Sequence, residues 1–394
     1  MFGKYARFAA CLGIATAIAA CHQSEAPDPI GSKANEVHEN VVVALNSTRT
    51  LVVKLNGNGA SAASVRYAGT TGTRSGNTVT FENAAVSGTV NVSGTGLVGQ
   101  SFTVDFGERS SLVIEVNAVK ASTNIVSNTA AEGGSDVDND SNNETETGVA
   151  ATLNLAANSS VPDYTKTGGN TDYSVVVFTP AQTPISTTQT GETYNVETYA
   201  VDCQPAGAEF TPAAHMELKV PGVSEIGNDN VFFKYGGTGE DAQNKEVKNG
   251  DIVAGDLPHF SAWNVVVSAQ CTGITESSEV IAAGSLANGA NTITYNEKCG
   301  FQSNVTGILS VWLKLLYGAS YTTVKKTTSI TATGTGSYTI LQKVYTVSFR
   351  AGRKDFQVKT YGVPTCNVTY TGTEVPDTKP VVPDVPVHNG GSND

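Results

Sequence analysis

The chain is poor in charge. Asp, Glu, Lys and Arg make up 15% of it, against about 25% in ordinary soluble proteins. Cations are the scarcer sign, with 24 Lys and Arg against 36 Asp and Glu and a net charge of -12. That balance excludes nucleic acid as a partner, because phosphate binding needs a clustered basic face. There are only two Met, and almost no window repeats apolar residues at helical spacing, so a helical bundle is excluded. The Gly-x-Ser-x-Gly elbow, His-Glu-x-x-His, the Walker loop and Cys-x-x-Cys are all missing, which leaves hydrolase, zinc-protease, nucleotide and dithiol chemistry without a motif. The chain reads as no enzyme, with no cofactor and no metal site; His215 and His259 are two histidines without further ligands. A pair of carboxylates distant in sequence leaves no motif, so glycosidase chemistry stays open at this stage.

What is present starts at the N-terminus. Lys4 and Arg7 precede an apolar run from Phe8 to Ala20 that is too short to span a bilayer, and the run closes on Ile18-Ala19-Ala20-Cys21. This is the pattern of an export signal, and it resembles the bacterial lipobox. The resemblance implies cleavage between Ala20 and Cys21 and lipidation of Cys21, which places the protein at the cell envelope as an outer-membrane lipoprotein, with surface exposure favoured. Its partner there is the membrane, through the lipid on Cys21. Losing residues 1–20 removes Lys4 and Arg7 and no acid, so the net charge moves from -12 to -14 over the remaining 374 residues. Residues 21–40, with Pro27 and Pro29, read as a tether.

The composition is that of β-structure, with 40 Gly and abundant Thr, Val, Ser and Asn. From 41 to 120, seven short alternating segments (Val41–Leu45, Leu51–Leu55, Ser64–Ala68, Thr78–Phe81, Thr89–Val92, Phe102–Phe106 and Leu112–Val119) are separated by turn clusters such as Asn56-Gly57, Ser75-Gly76 and Ser93-Gly94. This spacing predicts an immunoglobulin-like sandwich, without the Cys pair or Trp that would mark kinship. Residues 121–148 read as an acidic linker. Asp136, Asp138 and Asp140 have the alternation of a calcium loop, but Ser141 and Thr147 stand where such a loop needs Gly and Glu. A second β-sandwich is predicted over 149–268.

Within it, Val201 to Pro221 carries Pro205, Gly207, Phe210 and Pro212 before alternating aliphatics, and His259-Phe260-Ser261-Ala262-Trp263 follows later. Both stretches resemble ZU5 domains. The resemblance implies a β-sandwich interaction module, some relatives of which cut themselves between Phe and Ser. In that chemistry Ser261 attacks the Phe260 carbonyl, with His259 as base, and the resulting ester is opened by water. The plain alternative is an ordinary strand from Phe260 to Val267.

Residues 269–370 read as a third β-rich domain. With Cys11 lost and Cys21 acylated, Cys203, Cys271, Cys299 and Cys366 remain. An even number in an exported chain predicts two disulfides with three possible pairings; Cys271–Cys299 is the expected one, and Cys203–Cys366 follows by exclusion. Leu309 to Leu316 fits strand or short helix, and its neighbourhood favours strand. Ala351-Gly352-Arg353 predicts a hairpin tip carrying Arg350, Arg353 and Lys354, the clearest basic spot in the chain. Thr327 to Thr335 alternates, but reads as too polar for a membrane barrel strand. Residues 371–394, with Pro376, Pro380, Pro383 and Pro386, form a spacer-like tail.

Taken whole, the lipobox, N-terminal sandwich, acidic linker and Pro-rich tail resemble a family of surface lipoproteins from gut Gram-negative bacteria of Bacteroidales type, some described as adhesins or pore-forming-toxin-like. The expected fold is all-β, with tandem immunoglobulin-like sandwiches joined by flexible linkers. The expected function is adhesive, binding or structural, toward a surface glycan or protein ligand. The alternatives are self-processing at Phe260–Ser261, and a pore-forming or glycan-binding surface protein.

Overall fold

A computed structural model describes residues 38–43, 45, 48–120, 126–128, 149–155, 171–185, 187–204 and 206–371, all within one compact unit, His38–Gly372. The lipobox, the tether, the Asp136–Glu146 acidic run, Pro205 and the tail from 372 lie outside the described residues.

The fold is all-β. The first strands are β1 (His38–Val43), β2 (Thr50–Asn56), β3 (Ser64–Tyr67), β4 (Thr70–Thr71), β5 (Thr73–Ser75), β6 (Thr78–Glu82), β7 (Ser87–Ser93), β8 (Gln100–Asp105) and β9 (Ser111–Asn117). They are followed by β10 (Val126–Asn128), β11 (Ala150–Asn154), β12 (Thr171–Phe178), β13 (Thr193–Gln204), β14 (Glu209–Lys219), α1 (Val223–Ile226), β15 (Val231–Tyr235), β16 (Gln243–Lys248) and β17 (Ile252–His259). The chain then runs through β18 (Ala262–Leu286), β19 (Gly289–Cys299), β20 (Phe301–Gln302), α2 (Gly307–Tyr317), β21 (Thr322–Ala332), β22 (Gly336–Ala351) and β23 (Lys354–Thr371).

Strands β2 to β9 form the N-terminal sandwich, with sheets ordered β5-β6-β2-β9 and β4-β3-β7-β8. Alternation places Leu51, Val53 and Leu55 of one sheet and Val65, Tyr67, Val90 and Val104 of the other in a shared core. The predicted first strand of this sandwich belongs elsewhere. β1 pairs antiparallel with β23, from His38↔Thr371 to Val43↔Cys366, so the described residues begin in one sheet, build a separate sandwich and return.

The sheet that β1 joins has the order β1-β23-β22-β18-β13-β12-β10, with β15 also on β18 and β20 on β23. Its spine is β18, 25 residues long, or about 80 Å at roughly 3.3 Å per residue. The boundary expected near residue 268 falls inside this strand, and β18 runs through it without a break. The first half of β18 packs Trp263, Val265 and Val267 against Met216, Leu218, Val253 and Leu257 of a second sheet, β11-β14-β17-β16. This second core also takes in α2.

Leu309 to Leu316 is therefore helix, not strand. Ile308, Leu309, Trp312, Leu313, Leu315 and Leu316 are buried on α2, and Trp312 Nε1 donates to the Val267 carbonyl at 3.0 Å. A helix surrounded by core reads as a continuous apolar run, which periodicity does not separate from a strand.

The four cysteines are free and buried, so the pairings Cys271–Cys299 and Cys203–Cys366 do not form. The ladders give the reason. Cys271 lies opposite Phe349, whereas the Lys298 amide beside Cys299 is held by Gln342 at 2.9 Å; Gln342 lies opposite Glu279, about 25 Å further along β18 at the strand rise. Cys366 pairs with Ile340, itself opposite Ala282, whereas Cys203 follows the pair Asp202↔Ala262 at the other end of the same strand. Disulfides need Cα atoms within about 7 Å. Burial pushes the Cys203 and Cys299 thiols well above their ordinary range.

Candidate functional site

Two sequence signals are accounted for by local structure. At His259-Phe260-Ser261 the chain leaves one sheet and enters the other, between β17 and β18. The Phe260 amide donates to the Ala208 carbonyl at 2.7 Å, the Phe260 carbonyl accepts from Gly207 at 2.6 Å, and the Ser261 carbonyl accepts from Cys203 at 3.0 Å. Phe260 fills the core. The His259 ring lies against Tyr235 and Trp263, at centroid distances of 4.9 and 5.5 Å, with Nε2 3.6 Å from Glu240. No hydrogen bond joins His259 to the Ser261 hydroxyl. Among the described residues, the non-glycine ones with positive φ are Ala68, Asn83, Asn244 and Asp251, none of them in His259-Phe260-Ser261. Two of the three cations at the basic tip are paired, Arg350 in a bidentate pair with Asp355 at 2.7 and 3.1 Å and Lys354 with Glu225.

His215 is half-buried in a network that its sequence position did not announce. Nδ1 lies 2.7 Å from Asp256 and Nε2 3.4 Å from Glu217, while Lys248 reaches Glu217 at 2.7 Å and Asn244 donates to Asp256 at 2.7 Å. The two carboxylates face opposite ring nitrogens, so the three groups do not converge on one point as metal ligands must. Among the described residues no other cluster of metal-binding side chains occurs.

The arrangement with the greatest functional content is the antiparallel pair β19 and β21, a hairpin whose strands are joined not by a turn but through β20 and the buried helix α2. Its eleven pairs run from Gly289↔Ala332 to Cys299↔Thr322, and it forms a two-stranded sheet with ladder bonds to no other strand. An isolated pair of strands is marginal in water, so its side chains must hold it in place. Thr292, Thr294, Asn296, Thr327, Ser329 and Thr331 face outward. Ile293, Tyr295, Ile330 and Ala332 face inward onto Leu286, Ile340, Cys366 and Val368.

Two charged residues interrupt that inward face, Glu297 at 3% exposure and Lys326 at 4%. Both are satisfied by the N-terminal sandwich and the segment leading into it. Glu297 accepts from the Ser110 and Ser111 hydroxyls, each at 2.7 Å. Lys326 Nζ donates to the Thr48 carbonyl at 2.5 Å, and to Thr50 Oγ1 and the Ser110 carbonyl at 3.1 Å each. Burial lowers the Lys326 pKa, opposed by the charges of Glu297 and Glu82. From the long sheet, Gln342 donates to the Lys298 carbonyl at 2.8 Å and to Gly362 at 2.7 Å.

Beside these contacts opens a cleft of about 600 Å³, where Arg109 and Val113 of the sandwich, Glu297 of the hairpin, Tyr317 at the end of α2, and Tyr345 and Tyr361 of the long sheet meet. Arg109 is not free for an anion. Its Nη1, Nη2 and Nε donate to the carbonyls of Ile185, Pro184 and Phe106 at 3.3, 3.1 and 3.5 Å, and burial lowers its pKa. Tyr317 bonds Thr188 at 2.8 Å. Tyr361 donates to Gln302 at 2.9 Å, and burial pushes its pKa up to about 12. Sequence reading missed this site because its walls come from segments up to about 250 residues apart. The one local signal was the alternation near Thr327, whose inward residues Ile330 and Ala332 join Ile293 and Tyr295 of β19.

Among the described residues no helix is long and apolar enough to cross a membrane. No family model matches the chain, and no curated protein matches it. Among solved structures, the crystal structure of a protein from Bacteroides vulgatus ATCC 8482 described as a "putative pore-forming toxin" is similar over 84% of this chain and 94% of that one, with 10% identity and a TM-score of 0.20. At that score the similarity supports neither a shared fold nor a shared activity.

Proposed function

We propose that this chain is a lipid-anchored protein of the bacterial envelope without catalytic activity, and that its working part is the β19–β21 hairpin, stored on the long sheet and delivered to a bilayer. The observation that carries this reading is the hairpin's independence: it pairs only with itself. Each strand has eleven residues, and a tilted membrane strand needs about 9–11. The outward face is polar, and the inward one carries Ile293, Tyr295, Val324, Ile330 and Ala332 at period two among Asn291, Thr328 and the two charges, so β19 adds the apolar residues that made Thr327–Thr335, read alone, too polar for a membrane strand. Of the two charges on the inward face, Glu297 sits toward the α2 end, two pairs from the terminal pair Cys299↔Thr322, and Lys326 sits beside the middle pair Thr294↔Thr327. A charge displaced from the bilayer midplane costs less than one at its centre, and a lysine can extend its ammonium toward the interface. Two strands leave open edges that lipid does not tolerate, so several copies must each contribute a hairpin to a closed barrel.

The test is dye release from phosphatidylethanolamine/phosphatidylglycerol vesicles by the mature chain. Release that rises more steeply than linearly with protein concentration, with detergent-resistant oligomers, is expected. Intact vesicles at every concentration and pH would sink the proposal. The cleft favours a second reading, a binding protein for a surface glycan or protein. A glycan array, with Tyr361→Ala as control, decides that one; equal retention of both proteins would remove the cleft as its site.

A further inference from the structure

We infer that the N-terminal sandwich is an autoinhibitory clamp on the β19–β21 hairpin, exerted through Glu297 and Lys326. The inference rests on the reading of this hairpin as the element that leaves the long sheet. Glu297 and Lys326 are almost fully buried, the two charges on a face whose other buried residues are Ile293, Tyr295, Cys299, Ile330, Ala332 and the uncharged Thr328. The hydrogen bonds that compensate Glu297 come from Ser110 and Ser111, and those that compensate Lys326 come from Thr48, Thr50 and Ser110. These partners lie on β2 and β9, or next to them, in the sandwich.

Burying a charge is unfavourable unless it is hydrogen-bonded. Docked against the sandwich, the two groups are compensated. If the sandwich contacts are lost, the same two groups drive the hairpin away from the sheet, because water then solvates them better than the apolar face does. Aliphatic residues at both positions would hold the hairpin down whatever the sandwich did. The charges therefore make docking conditional on the sandwich, which apolar packing alone does not. The cleft opens at this junction, with Ser111 and Glu297 both in its wall, so a molecule bound there touches both sides of the clamp.

The experiment measures amide hydrogen exchange on the mature chain. In Ser110→Ala/Ser111→Ala, exchange in β19 and β21 is expected to accelerate roughly 10- to 100-fold, the effect of stranding a buried charged acceptor, while β18, β22 and the sandwich keep their protection. Thr50→Val, which removes one acceptor of Lys326, should act in the same direction. Glu297→Leu/Lys326→Met should restore protection in the serine-to-alanine background. Hairpin protection unchanged within twofold in both sandwich variants overturns the clamp. So does failure of the apolar pair to rescue, or protection lost equally across the sandwich in both variants. Dye release measured in parallel separates the two claims. Faster hairpin exchange with intact vesicles supports the clamp and ends the membrane reading; dye release by the unmodified chain with unchanged exchange in the variants does the reverse.

Discussion

At the scale of single residues, close tolerances hold the C-terminal end of α2. Gly318 ends this helix at φ 93°, its amide donating to Lys314 at 2.9 Å. A Cβ there would meet the Val113 carbonyl of the sandwich at 2.5 Å. Gly318→Ala therefore combines an unfavourable backbone conformation with a clash against another part of the fold, and should destabilise by more than about 1 kcal/mol in a denaturant melt. A stability equal to the parent's would show that the α2 end yields easily. The thiols make a second residue-scale prediction. Burial raises all four, and the thiolate is the reactive form. A chain starting at Ser24, which leaves out Cys11 and Cys21, should resist iodoacetamide at pH 8 when native, gain four carbamidomethyl groups once denatured without reductant, and keep one mass on reduction. That mass should span Phe260–Ser261 unbroken, because the Phe260 amide and the Phe260 and Ser261 carbonyls are held by hydrogen bonds and His259 makes no bond to Ser261. Two fragments meeting there, abolished by Ser261→Ala, would restore the self-processing reading.

At the scale of elements, the sheet of β14, β16 and β17 carries the network most sensitive to acid. The Lys248 hydrogen bond is the main influence holding the Glu217 carboxyl below its ordinary range, against some burial. For Asp256, burial raises the pKa, but hydrogen bonds from Asn244 and His215 and nearby positive charge outweigh it, and the net direction is down. A carboxylate with a depressed folded pKa contributes stability that is complete above its unfolded value, near 4, and is lost as pH falls through the folded one. Melting temperature should therefore drop below about pH 4, and Lys248→Met should flatten that drop; the same acid slope in both proteins would remove this network from the explanation. The elements also show what period-two reading resolves. The segments Leu51–Leu55, Thr78–Phe81 and Thr89–Val92 stand where alternation put them. The segment around Leu309 does not, because a helix buried on nearly every side loses the polar face that would identify it.

At the scale of the whole molecule, the proposed anchor and the proposed hairpin belong to one design. A lipid on Cys21 would keep the chain at a membrane, where two-dimensional confinement favours meeting other copies. Cys21→Ala should move the protein from the membrane to the soluble fraction on cell fractionation and abolish labelling by a fatty acid. Unchanged fractionation would count against the lipobox. The long sheet closes the rest into one body, since β1 and β23, more than 300 residues apart in sequence, are neighbours.

The sequence by itself determined the all-β class, most strand positions and the turns between them. Alternation, β-branched residues and Gly-bearing turns act within a few residues and leave a local trace. Tertiary structure decided which strands share a sheet. It carried β18 through an expected boundary, sent β1 to the far end of the chain, separated the cysteines along one strand and set β19–β21 apart as a hairpin. Register and partner choice depend on how side chains from distant segments fit together across a core. Glu297 and Lys326 illustrate this. In sequence they are polar residues among threonines; only burial between the hairpin and the sandwich turns them into a clamp.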